Sequence, residues 1–387
     1  MFSRVYNFPS QSVLLLGPRG VGKSTFIRNQ TVPNLEIDLL KSTHYRELSL
    51  NPSSLEDRVS HLKPKDIVFI DEIQRIPELL NEVHRLIESK GLYFYLTGSS
   101  ARKLRKSGVN LLAGRAIGRR MFPLTLHELQ DWKLEKLLKF GTLPSVFHKD
   151  TDPIEYLTSY VDMYLREEIT QEAVTRNLGL FQQFLAIVGQ YHGQVLNYEN
   201  LAREVGKSGD TIKVWFEVLK DTLIGHEIKA FTPNLLKRET KHSKFYLFDP
   251  GVANALVNDL EDIPSERKVF LFESLILNEL HVYLEVKRLK YQIFHFSHPN
   301  EGDIDFIIEI KKKTMSSPSQ FISLNIKLSK KWNSSFGSTT HVLQEKAGSR
   351  LLKSFAVYNG ETRLTFKSLQ VLPLRTFISE LWDGKIF

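Results

Sequence analysis

The sequence predicts an α/β chain in three parts: an N-terminal parallel-sheet domain, a helical middle region, and a second α/β domain. Three observations carry this. Residues 1–125 alternate short apolar runs with helical segments, the 126–260 part is mainly helical in pattern to about residue 225 with a strand-like tail, and in 261–387 an apolar helix precedes strand-like runs. At 387 residues the chain exceeds one core of usual size, so several domains are expected. Hydrophobic residues make up 42%, enough to build real cores and to exclude wholesale disorder.

Taken in order, SVLLLG (12–17), NLEIDL (34–39), DIVFID (66–71) and LYFYLTG (92–98) read as strands. Their apolar runs are nearly continuous, as in strands covered on both faces of a parallel sheet. Lys23–Asn29, Ser53–His61 and Pro77–Lys90 read as helices between them, which gives the βαβα order of an open sheet.

The first strand runs into GPRGVGKST: Gly17, Pro18, Arg19, Gly20, Val21, Gly22, Lys23, Ser24 and Thr25. Gly17, Gly22, Lys23 and Ser24 keep the spacing G-x-x-x-x-G-K-[ST] between a strand and a helix. Glycines let successive N–H groups turn inward around an anion, and the helix start adds positive charge. Lys23 reaches β- and γ-phosphates, and the Ser24 hydroxyl ligates Mg2+. The third strand ends in Asp71 and Glu72, where ligands bind in open α/β sheets. Asp71 is placed to hold the Mg2+ shell and Glu72 to deprotonate an attacking water. The fourth strand ends in polar Thr97, Ser99 and Ser100. A side chain there either bonds the water or γ-phosphate, or caps the next helix.

A basic cluster follows: Arg102, Lys103, Arg105, Lys106, Arg115, Arg119 and Arg120. One arginine can offset γ-phosphate charge, in its own chain or from a neighbour; a solvated or DNA-facing patch explains the others equally well. Net charge is +8, with 52 basic and 44 acidic residues, which permits polyanion contact without requiring it. The absence of cysteine excludes disulfides, thiolate metal sites and cysteine nucleophiles. No run approaches a membrane span or a signal peptide, so the expectation is a cytoplasmic protein without membrane contact.

In the middle region, NYENLAREV and TIKVWFEVLKDT flank a turn, with Ile212, Trp215, Phe216 and Leu219 on one helical stripe. GHEIKAF and KFYLFD follow as strands, a winged-helix pattern. The second helix either enters a DNA major groove, with Lys207, Lys213 and Lys220 on phosphates, or packs as a structural module.

The segments GPRGVGKST, FIDEIQRIP, LTGSSARKL, LLAGRA and FPLTLHEL, in this order, resemble a prokaryotic AAA+-type P-loop ATPase family. Its members carry a C-terminal domain of unknown function whose end resembles restriction-endonuclease folds. The resemblance implies ATP and Mg2+ as cofactors and homo-oligomeric assemblies. It sets Ser99 at a sensor position where asparagine is usual, and Arg115 at a recurrent arginine. Restriction-type nucleases gather a helix Glu, a strand Asp and a Glu-x-Lys pair around Mg2+. The matching positions are Glu273, Asp305 and Lys327, but Asn325 stands where the second Glu belongs. An amide adds no negative charge, so a degenerate nuclease fold is expected, with Lys311, Lys312, Lys313, Lys330 and Lys331 as a positive rim or a solvated loop.

The functional expectation is an ATP-binding protein: a Mg2+-dependent ATPase acting as switch or motor, with DNA as a partner through basic surfaces. The alternatives are an ATP-gated metal-dependent nuclease and a winged-helix DNA-binding regulator without turnover.

Overall fold

A computed structural model describes residues 2–100, 102, 104, 112, 114–165, 178–231, 242–298, 302–314 and 317–387. The chain divides into two units. The first is built from Met1–Leu124, Leu143–Leu178 and Lys213–Gly225, the second from Thr125–Thr142, Gly179–Ile212 and His226–Phe387.

In the first unit, β1 (Val13–Leu16), β2 (Leu35–Asp38), β3 (Ile67–Asp71), β4 (Tyr93–Gly98) and β5 (Ile117–Arg120) form one sheet in the order β2-β3-β4-β1-β5. Every pairing is parallel, as the continuous apolar runs predict. The order matters more than the count. Because β4 lies between β1 and β3, the tip of β4 separates the glycine bend from the Asp71–Glu72 pair.

The helix Leu79–Lys90 buries Leu79, Leu80, Val83 and Leu86 on one stripe. They pack in one core with Ile37, Val68, Ile70, Phe94 and Leu96 of the sheet. Each such side chain contributes about 1.5–3 kcal/mol by leaving water. Gly91, at φ 65°, ends the helix in the left-handed conformation. The Ser53–His61 stretch is less helical than its pattern suggests: a 3-10 turn over Pro52–Ser54, then one α-turn over Leu55–Arg58. The helix Ser42–Leu50 buries only Leu48, so no apolar stripe marks it in the sequence.

The second sheet holds β6 (Gly225–Ala230), β7 (Lys244–Leu247), β8 (Gln292–His298), β9 (Gly302–Lys311), β10 (Gln320–Lys327), β11 (Leu351–Tyr358), β12 (Leu364–Phe366) and β13 (Leu369–Pro373). Their order is β12-β13-β11-β10-β9-β8-β6-β7. Strands β8, β9 and β10 run antiparallel, β10, β11 and β13 are parallel, and β6 joins β8 in parallel.

The two helices of the middle region form at Tyr198–Val205 and Gly209–Asp221. Asn197 caps the first by accepting from the N–H groups of Glu199 and Asn200, each at 3.1 Å. Ile212, Trp215, Phe216 and Leu219 are all buried. The strands that follow are the β6–β7 edge of the larger sheet, not a separate ribbon. A strand's pattern shows its faces, but its neighbour is chosen by tertiary packing.

The helix Ser265–Val286 is buried on nearly every side from Leu271 to Leu284, including Glu273, Asn278 and Glu279. A carboxylate tolerates such a place only with partners. Glu279 accepts from the Leu126 N–H at 2.7 Å and from Trp382 Nε1 at 2.6 Å. Burial still pushes its carboxyl up to about 7. No described helix is long and apolar enough to cross a membrane.

Candidate phosphate-binding site

The bend after β1 has the backbone that an anion cradle needs. Gly20 and Gly22 lie at φ 82° and 92°, in the left-handed region that favours glycine. Gly17 meets a different constraint: a Cβ there would lie 2.2 Å from the Met121 carbonyl oxygen beyond β5. The helix Lys23–Gln30 starts directly at the bend, with Gly22 as its N-cap. Lys23 is 5% exposed, and its Nζ donates to the carbonyls of Gly17 at 2.8 Å and Pro18 at 2.9 Å. The ammonium thus sits against the bend that would hold the phosphates.

The carboxylates meet this helix. Asp71 Oδ1 accepts from Ser24 Oγ at 2.7 Å and from Thr97 Oγ1. Asp71 Oδ2 lies 3.4 Å from Arg28 Nη2. Asp71 is 5% exposed, a buried charge held by two hydroxyls and a guanidinium. Glu72 leaves the strand at φ 60° and ψ 46°, a conformation rare outside glycine, and its N–H donates to Thr97 Oγ1 at 3.2 Å. Its Oε2 accepts from Gln74 Nε2, which also donates to Ser99 Oγ at 2.9 Å. A cleft of about 800 Å³ opens on the bend, lined by Arg19–Thr25, Glu72, Arg4, Pro144 and His148 among others. That volume falls in the range of small-molecule sites.

Lys23, Ser24, Asp71, Glu72 and Ser99 therefore come together. Arg115 does not join them within the chain. Ile117 pairs with Val13 at the start of β1, whereas the bend follows Leu16 at the other end. Arg115 precedes Ile117 on that far edge, and its Nε donates to Glu88 Oε1 at 2.7 Å. Of the remaining basic cluster, Arg102 lies 3.9 Å from Asp221, and Lys103, Arg105 and Lys106 fall outside the described residues.

Four residues of this region have no role assigned from the sequence. Arg4 donates to the carbonyls of Val21 at 2.8 Å and Phe122 at 2.7 Å, tying the N-terminal segment to the bend. Tyr160 donates to the Arg19 carbonyl at 3.0 Å. Arg28 and Gln74 reach Asp71 and Glu72. Arg28 alone has a usable signal, standing four residues after Ser24 on one helix face.

In the second unit, Glu273, Asp305 and Lys327 also converge: Asp305 and Lys327 both act on the charge of Glu273. Glu273 accepts from Tyr246 Oη at 2.5 Å and lies 3.7 Å from Lys244 Nζ. Burial, reinforced by Asp305, pushes the Glu273 carboxyl up to about 7. Asp305 Oδ2 accepts from the Ile326 N–H at 2.6 Å, and Asn325 Nδ2 donates to Thr340 Oγ1 at 2.8 Å. Among the described residues, no group of three or more His, Asp or Glu is arranged to hold a metal ion.

The parallel sheet, the glycine bend and the carboxylates at the neighbouring strand end define a P-loop α/β core. Residues 9–130 match a family model described as an AAA domain. Residues 131–262 and 268–377 match models described as domains of unknown function, DUF8612 and DUF4143. The AAA match and the sheet support a nucleotide-binding, ATPase-like first unit. An uncharacterized protein of Mycobacterium tuberculosis is 24% identical over 308 residues, covering 77% of this chain and 67% of the relative. An uncharacterized protein of Methanocaldococcus jannaschii is 23% identical over 338 residues, covering 78% and 72%. Among solved structures, Thermotoga maritima RuvB T158V matches at 18% identity and TM-score 0.28, over 58% of this chain and 82% of that one. The Aeropyrum pernix Orc1 protein in complex with DNA matches at 13% identity and TM-score 0.25, over 65% and 87%. At such scores the two structures carry no argument.

Proposed function

We propose that this protein is a Mg2+-dependent ATPase whose nucleotide cycle drives a switch or motor. The observation that carries the reading is the 2.7 Å bond between Ser24 Oγ and Asp71 Oδ1, beside Lys23 in the glycine bend. A hydroxyl and a carboxylate oxygen so close suit a small hard cation, so Ser24 and Asp71 would hold Mg2+, Asp71 through the ion's water shell. When bound, that ion supplies positive charge to the β- and γ-phosphate oxygens. The N–H groups of residues 19–25 would wrap the phosphates, and Lys23 adds a point charge. Glu72 Oε2 is held by Gln74, while Oε1 has no hydrogen-bond partner among the described residues. Glu72 can therefore take a proton from water as its oxygen bonds the γ-phosphorus. The bond to the β–γ bridging oxygen breaks, giving ADP and phosphate. Arg115 enters this reaction only if it acts on the site of a neighbouring subunit.

The test is Mg2+-ATP binding, followed with a fluorescent analogue, together with phosphate release. Glu72→Gln should keep binding and lose hydrolysis by about 10²–10⁴-fold. No uptake at millimolar nucleotide, or wild-type turnover in the variant, would sink the reading. DNA contact through exposed lysines such as Lys207 and Lys213 extends it. Gel retardation across a salt series checks that extension, and a salt-independent response would count against it. An ATP-gated nuclease is less well supported. Lys244 already places an ammonium 3.7 Å from Glu273, and Asn325 supplies no charge for a metal.

A further inference from the structure

Gln74 lies in the segment FIDEIQRIP without a role assigned to it there, yet it touches two members of the phosphate site. It lies in the 3-10 turn Ile73–Arg75, which begins directly after the left-handed Glu72 and folds the chain back on itself. The side chain is 5% exposed. Its amide nitrogen has two N–H groups, and both are engaged: one by Glu72 Oε2, one by Ser99 Oγ at 2.9 Å. The amide oxygen, Oε1, is buried without a hydrogen-bond partner. It is directed at Gly98, where an added Cβ would lie 2.8 Å away. The chemistry fixes this orientation. With oxygen and nitrogen exchanged, the amide oxygen would face the Glu72 carboxylate, acceptor against acceptor. The bridge spans the turn after β3 and the residue just past β4.

We propose that Gln74 is a positioning residue for hydrolysis, tying the Glu72 carboxylate to the Ser99 hydroxyl so that base and phosphate-reading group keep one fixed relation. Gln74 would act through Glu72, so the inference rests on Glu72 being the base. A carboxylate left on a flexible side chain would sample many rotamers. The bridge holds one, with Oε2 occupied and Oε1 left for the water. Gly98 is part of the device, because any side chain there would push the amide off its two partners.

The experiment measures phosphate release and fluorescent ADP binding in Gln74→Leu, Ser99→Ala and the double variant. Leucine keeps the bulk and removes both donors. The expected result is a fall in kcat of about tenfold or more in Gln74→Leu, with KM and ADP affinity within about twofold of wild type. A residue that merely supports the fold would move binding along with turnover. The losses in the double variant should be less than multiplicative, because one bridge is cut in both single variants. Gln74→Met, also without donors, repeats the measurement should the leucine variant fail to fold. Wild-type kcat in Gln74→Leu or Gln74→Met overturns the proposal, as do parallel losses in kcat and affinity, or losses that multiply in the double variant. If Glu72→Gln hydrolyses at the wild-type rate, the base assignment fails and this inference with it. If Glu72→Gln is inactive while Gln74→Leu is normal, only the bridge is refuted.

Discussion

Replacing Glu72 by alanine and, separately, by glycine isolates a backbone effect at the site. Both variants delete the carboxylate and its bond from Gln74, so those losses cancel in the comparison. The conformation does not cancel, because residue 72 sits at φ 60° and ψ 46°. A Cβ in that region costs about 1–2 kcal/mol. Glycine escapes this but loses about 0.4–1 kcal/mol through its freer unfolded chain. The glycine variant should therefore be the more stable, by about 0.5–1 kcal/mol. At an ordinary helix or strand position the order is reversed, with alanine ahead by a similar amount. Urea unfolding followed by circular dichroism, in matched buffers, reads the difference in the first transition. Phosphate release should be lost in both. An alanine variant as stable as the glycine variant would show that residue 72 is unstrained. Strain borne at the residue proposed as base links conformation to chemistry.

Two further outcomes are expected. Gly17→Ala should lower stability by about 1–3 kcal/mol and weaken Mg2+-ATP binding by about tenfold or more, because its Cβ would fall 2.2 Å from the Met121 carbonyl oxygen; thermal melts and nucleotide titration check both, and unchanged binding would contradict the close approach. Glu279 is protonated up to about 7 in the folded chain, against about 4.3 when unfolded. Between those values the folded state holds a proton that the unfolded state has released, so stability falls as pH rises through the window. Glu279→Gln removes this slope, and its destabilisation relative to wild type should shrink from about pH 5 to about pH 8, read by urea unfolding at both; a constant or growing difference would count against a buried, protonated Glu279.

The glycine bend was legible because its geometry is local. Gly17, Gly22, Lys23 and Ser24 need only a strand before them and a helix after, and the apolar run at Val13–Leu16 supplies the first. Asp71 and Glu72 were legible for the same reason, as polar residues ending the buried run at Ile67–Ile70. The parallel sheet followed from strands apolar on both faces. Gln74 was not legible, because a glutamine two residues past a glutamate has no period or spacing that reports a bridge to Ser99. Arg4 acts over 17 residues on Val21 and 118 on Phe122, beyond any sequence pattern.

Local pattern thus determined where a glycine bend follows β1 and which strand ends in carboxylates. Tertiary structure decided the strand order that sets β4 between β1 and β3, the placing of Arg115 at the far edge of its sheet, and the joining of β6 and β7 to the second sheet. The physical reason is range. Backbone conformation and amphipathic period are set by neighbours a few residues apart, whereas strand pairing and buried polar bridges depend on which distant surfaces pack together.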